Sequence, residues 1–202
     1  MNQTASTFAR QESALHVSFV PSLMAKPIGL PKTDPEFCLV IAQSFAKSVK
    51  HNTAPLNYNL RVVECSLAAA VLHAILQYPK PLSHDITPQE ITLHELQSAY
   101  FDNNPAAYTT MEEQLNVLIK LVEKRLVQEN DYTREEIAIL LSLSIQELED
   151  RFMAVFPVHA KYFKLCQRAL HVFTEAKRVE QFMQLLKTSP DKLDMNLGMK
   201  LG

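Results

Sequence analysis

Leu60, Val63, Leu67, Val71, Ala74 and Ile75 recur at helical spacing, which predicts one long amphipathic helix from Asn59, with Asn57 or Asn59 as its cap, until Pro79 and Pro81 stop it. Upstream the period is different. Leu15, Val17 and Phe19 alternate with Ala14, His16 and Ser18, the two-residue rhythm of a half-buried strand. The prolines at 21, 27, 31 and 35 leave room for one short edge strand near Ala25–Leu30. Phe37 to Ala42 is an unbroken apolar run that reads as a central strand, followed by an irregular polar loop over 43–57. Residues 1–12 are compatible with a short helix holding Asn2 in its first turn.

Beyond residue 79 the pattern is helical with interruptions. A Pro-, His- and Thr-rich connection over 79–110 has room for a short helix at Leu93–Tyr100. Met111–Val127 is amphipathic, with Leu115, Leu118, Ile119, Val122 and Leu126 inside. Thr133 with Glu136, and Ser144 with Glu147, have the spacing of capping boxes and predict helices to about Leu141 and Phe152. The longest helix is expected over about 159–187, after Pro157. Its buried stripe is read as Tyr162, Cys166, Ala169, Phe173, Ala176, Val179, Met183 and Leu186, with Lys161, Lys164, Arg168, Lys177 and Arg178 mostly off it.

Composition narrows the class without naming a function. The 202 residues are 47% hydrophobic and 21% charged, values of a globular protein with apolar side chains enough for a core. A net charge of −2 supplies no basic field for nucleic acid or anionic membrane, and no aromatic residues interleave the basic face of the last helix. Cys38, Cys65 and Cys166 are an odd number, far apart, and read as ordinary reduced thiols. The seven histidines show no ligand spacing, so no metal site is expected. No signal-peptide pattern appears at the N-terminus, and a cytoplasmic location is the default expectation. Three glycines, Gly29, Gly198 and Gly202, do not cluster, so the chain contains no glycine-rich loop of backbone amides for phosphate.

Few residues offer chemistry by type and place alone. Tyr58, at the mouth of the long apolar helix, can donate and accept a hydrogen bond to a sugar hydroxyl, although a tyrosine with its hydroxyl in water is the commoner situation there. Arg61 and Glu64 read as a weak surface ion pair. Lys50 follows the expected central strand, where ligand sites of α/β folds often lie, yet a lone loop lysine is usually a solvated charge.

Three segments together resemble a known family. The stretch Val40-Ile-Ala, Ser48-Val-Lys50 and Thr53-Ala-Pro-Leu-Asn-Tyr58-Asn-Leu-Arg-Val-Val-Glu64 looks like the galactokinases of the GHMP kinase superfamily, in the flavour of the fungal and N-acetylgalactosamine kinase branch. Phe163-Lys-Leu-Cys-Gln-Arg-Ala-Leu-His-Val-Phe-Thr-Glu-Ala-Lys-Arg-Val179 resembles the same branch, and so does Met1-Asn2-Gln3-Thr4-Ala5-Ser6.

The resemblance implies an α+β chain with a partial GHMP-kinase fold: a few strands in the N-terminal quarter, then a mainly helical lobe. Residues 1–52 would be a remnant of the N-terminal kinase lobe, and residues 53–202 the first part of the helical C-terminal lobe. It implies a parent enzyme that transfers a phosphoryl group from ATP, with Mg²⁺, to O1 of galactose. Tyr58 would contact the sugar and Lys50 would lie near the nucleotide. Asn2 stands where the family has its catalytic Asp; an amide cannot take a proton or supply that negative charge, so the chain itself is expected to be inactive. Val49 replaces an Asn of the family's lysine motif. The family's glycine-rich loop would lie ahead of Met1, and a further glycine-rich motif beyond Gly202. Two other readings of the resemblance are a sugar- and ATP-binding inducer that engages a transcriptional repressor, and an N-acetylgalactosamine kinase, against which Tyr58 speaks because that group tends to carry Phe there. A helical interaction module unrelated to kinases is the last. No nucleic acid or membrane partner is expected.

Overall fold

The computed structural model describes residues 2–19, 22–31, 40, 42, 58–82, 91–105, 110–127 and 131–188. Among them lie seven helices and two small antiparallel sheets, so the protein is mixed α/β and mostly helical. In chain order the elements are α1 (Asn2–Phe8), β1 (Ser13–Ser18), β2 (Met24–Gly29), α2 (Tyr58–Leu76), α3 (Leu93–Asn103), α4 (Met111–Arg125), β3 (Tyr132–Thr133), α5 (Arg134–Leu141), α6 (Ile145–Phe152), β4 (Tyr162–Phe163) and α7 (Leu165–Thr188). They divide into two compact units, residues 1–42 with 181–202, and residues 43–180.

In the first unit β1 and β2 pair from Ser13 opposite Gly29 to Ser18 opposite Met24. Pro27, opposite Leu15, has no N–H to donate, which is tolerated because, among the described residues, each of these strands pairs on one side only. Leu30 N–H donates to Glu12 O at 2.9 Å and closes the ladder. All of β1 is half-buried. The expected central strand over Phe37–Ala42 and the loop over 43–57 lie outside the described residues, apart from Val40 and Ala42, which are not in a strand.

The second unit is built around α2. Every residue from Ser66 to Leu72 is buried, on all sides of the helix, because α3, α4, α5 and α6 all pack against it. Its length and mean hydropathy of 1.5 would suit a membrane, but the apolar surface is spent on neighbouring helices instead. Ala68, Ala69 and Ala70 keep its middle thin enough for close approach. Around it lie Leu96, Leu115, Leu118, Leu126, Ile137, Leu148 and Phe152, all buried.

Polar residues set where these helices begin. Thr110 with Glu113, Thr133 with Glu136 and Ser144 with Glu147 each form a reciprocal capping box, the first of them not anticipated from the sequence. Asn59 is not a cap, as α2 already begins at Tyr58 and Asn59 sits inside its first turn. The alternative cap, Asn57, lies outside the described residues. Gln77 ends α2 in the left-handed region at φ 53°, and Ser142 ends α5 there at φ 55°.

The last helix departs most from expectation. It starts at Leu165, since Tyr162 and Phe163 are extended and pair with Thr133 and Tyr132. Its buried stripe is Leu165, Ala169 and Phe173, while Tyr162 and Val179, assigned to the inside by periodicity, are exposed. Periodicity alone puts the stripe one residue out of phase at its start, because strand residues are counted as a helical turn.

Candidate functional site

Tyr58 is the first residue of α2, and 67% of its surface is exposed. The helix end that carries it is tied down by polar contacts. Asn59 Nδ2 donates to Pro157 O at 3.1 Å. One turn further in, Arg61 Nη1 donates to Glu64 Oε2 at 3.1 Å.

Glu64 is fully buried, which overturns the reading of Arg61 and Glu64 as a weak surface pair. A carboxylate so placed must have its oxygens satisfied. Glu64 Oε1 accepts the backbone N–H of Lys164 at 2.8 Å. Glu64 Oε2 faces Arg61 and also Arg168 Nε, 3.4 Å away on α7. That Nε–H does not point along a hydrogen-bond line, so the attraction to Arg168 is one of charge. Arg168, read from sequence as part of a solvated basic face, thus turns inward.

Next along the chain, burial pushes the Cys65 thiol up from its ordinary value, Arg168 works against this, and Glu64 adds to it. Cys166 is likewise pushed up, first by burial and then by Glu123.

The segment that receives these contacts is itself braced. Arg134, at the start of α5, donates from Nη2 to Val158 O at 3.1 Å and from Nη1 to Ala160 O. Its Nε lies 3.1 Å from Glu149 Oε1, and its guanidinium stacks 5.2 Å from the ring centroid of Phe163. One arginine therefore holds the turn that follows Pro157 through both of its terminal nitrogens.

A separate cleft of about 250 Å³ in the same unit is lined by Ala70, His73, Leu82, Ile91, Arg151 and Phe152 among others. Its histidine is occupied, with Nε2 at 2.8 Å from Lys80 O. Of the residues that the sequence marks for chemistry, none is among its described lining.

Of those residues, Tyr58 lies at the head of α2 in the second unit and Asn2 in the first turn of α1 in the first unit, where only its backbone is described. Lys50 lies outside the described residues. The described residues do not form a nucleotide cradle: Gly29 is the one glycine among them, and a Cβ there would meet nothing within 4 Å.

Sequence reasoning missed Glu64 and Arg168 as a pair. The available signal was an acidic residue flanked by Val62, Val63 and Cys65 on the helix expected to be the most buried.

Comparison with known proteins finds one group of relatives along this sequence. No family model matches the chain. Galactokinase of Candida albicans is 34% identical over 193 residues, 94% of this chain and 37% of the relative. Galactokinase of Dictyostelium discoideum is 35% identical, over 93% of this chain and 33% of the relative. That of Saccharomyces cerevisiae is 31% identical, over 100% of this chain and 40% of the relative. The chain thus spans between a third and two-fifths of the length of the curated relatives it matches. Over that part it is similar to galactokinases, as the three resembling segments imply.

Proposed function

We propose that this chain is the part of a galactokinase that supplies the tyrosine contact to the sugar, and that the whole enzyme transfers a phosphoryl group from ATP with Mg²⁺ to O1 of galactose. The observation that carries the reading is the match to galactokinases along nearly the whole chain, at 29–35% identity. Such transfer depends mostly on positioning and on stabilising charge, with little covalent work by the protein.

On this reading the fold is part of a GHMP kinase, with residues 1–52 from the N-terminal lobe and 53–202 from the helical lobe. Tyr58 offers its hydroxyl to a galactose hydroxyl, and its exposure at a braced helix end supports that role. Lys50 lies near the nucleotide. Asn2 occupies the place of the proton-accepting Asp, and these 202 residues hold no glycine-rich phosphate loop. The polypeptide by itself therefore binds sugar weakly and does not turn it over in the cytoplasm. An assay coupling ADP release to galactose addition is expected to stay at background, while calorimetry shows weak galactose binding that Tyr58→Ala abolishes. Clear turnover, or galactose binding unaltered by Tyr58→Ala, would overturn the assignment.

A further inference from the structure

We propose that Glu64 is a positioning residue for Tyr58: by anchoring the first turns of α2 to the segment 157–168, it fixes the direction in which the phenol is presented. The inference rests on the reading of Tyr58 as a sugar contact.

A first helical residue has no intrahelical partner for its N–H, and helix ends fray. Tyr58 is such a residue, and its side chain is too exposed for packing to hold it. Whatever steadies it must act through the helix. Asn59 ties the first turn to Pro157 O. Glu64 ties the second turn to the N–H of Lys164 through one oxygen and to Arg168 through the other. The same second oxygen holds Arg61, which lies one turn from Tyr58 on the same side of the helix.

Contacts at two levels of one helix set its rotation about its own axis, and that rotation decides where Tyr58 points. An apolar pair would join α2 to α7 with less desolvation, but apolar contacts are not directional and would leave the rotation loosely set. The receiving segment is rigid in turn, since Arg134 grips the carbonyls of Val158 and Ala160.

The test uses the full chain labelled with 3-fluorotyrosine, the Tyr58 resonance among six tyrosines being assigned with Tyr58→Phe. Glu64→Gln keeps an acceptor for Lys164 but removes the charge that holds Arg61 and Arg168. In Glu64→Gln the ¹⁹F resonance of Tyr58 is expected to shift and broaden while those of Tyr78 and Tyr100 stay in place, and the galactose Kd to rise about tenfold. A Tyr58 resonance and a Kd both equal to wild type in a folded Glu64→Gln protein would overturn the proposal. If Glu64→Gln does not fold, Arg168→Gln, which leaves Glu64 in place and cuts its charged link to α7, decides by the same two readouts. If galactose moves no resonance even in the wild type, the sugar reading of Tyr58 fails, and the effect of Glu64→Gln on the Tyr58 signal alone then supports or overturns the positioning role.

Discussion

Glu64 Oε2 and Arg168 Nε stand 3.4 Å apart, joining α2 to α7 through a carboxylate that no solvent reaches. Removing one member of a buried pair strands the other, whereas removing an exposed member costs little. Glu64→Ala is expected to destabilise the fold by about 3 kcal/mol. Arg61→Ala, whose side chain is 47% exposed, should cost under about 1 kcal/mol. Urea unfolding of both variants checks the contrast, and equal losses would contradict it.

Ser142 closes α5 in the left-handed region, with its N–H donating to Ile139 O at 3.1 Å and that of Leu143 to Ala138 O at 2.9 Å. This is the Schellman geometry that glycine occupies without strain. Ser142→Gly is expected to stabilise the protein by about 1 kcal/mol. The urea midpoint should rise; a fall would place the strain elsewhere.

The Glu147 carboxyl accepts from the backbone N–H and hydroxyl of Ser144, and these hydrogen bonds, the backbone one foremost, hold it below the usual glutamate value. A depressed carboxyl stabilises the fold above its unfolded value, and that contribution disappears as pH falls through the lowered one. A carbon-detected titration should find the Glu147 midpoint below that of exposed glutamates. Ser144→Ala, which removes the hydroxyl but keeps the backbone N–H, should raise it only part of the way towards them.

Burial raises the Cys65 thiol, so at pH 8 less of it is thiolate than in an unfolded chain. Its alkylation by iodoacetamide in the native protein should run at least tenfold slower than in urea. Mass spectrometry of the peptide containing Cys65 measures both rates.

The helices were legible where apolar spacing and caps agreed. Met111–Arg125, Arg134–Leu141 and Ile145–Phe152 fall where Leu115, Thr133 and Ser144 predict them. Strands β1 and β2 were legible from alternation and from the prolines that bound them. The two-residue strands at 132–133 and 162–163 were not, because so short a ladder leaves no period and depends on a partner distant in sequence. Glu64 was misread for a related reason. Spacing shows that Arg61 can reach it, but only the third dimension shows that Arg168 and the N–H of Lys164 arrive from the opposite side and shut out water. For the site, the proposal of Tyr58 as a sugar contact rests on the resemblance, whereas the bracing behind Tyr58 is visible only in the structure.

The alanines at 68–70 carry one more implication. Ala68 and Ala69 are enclosed all round and leave no wall that can yield, while Ala70 borders the cleft, so at the first two the central helix sits like an axle in a fitted bearing. Variation along it should therefore be filtered by girth before chemistry: a serine slips in where a leucine jams.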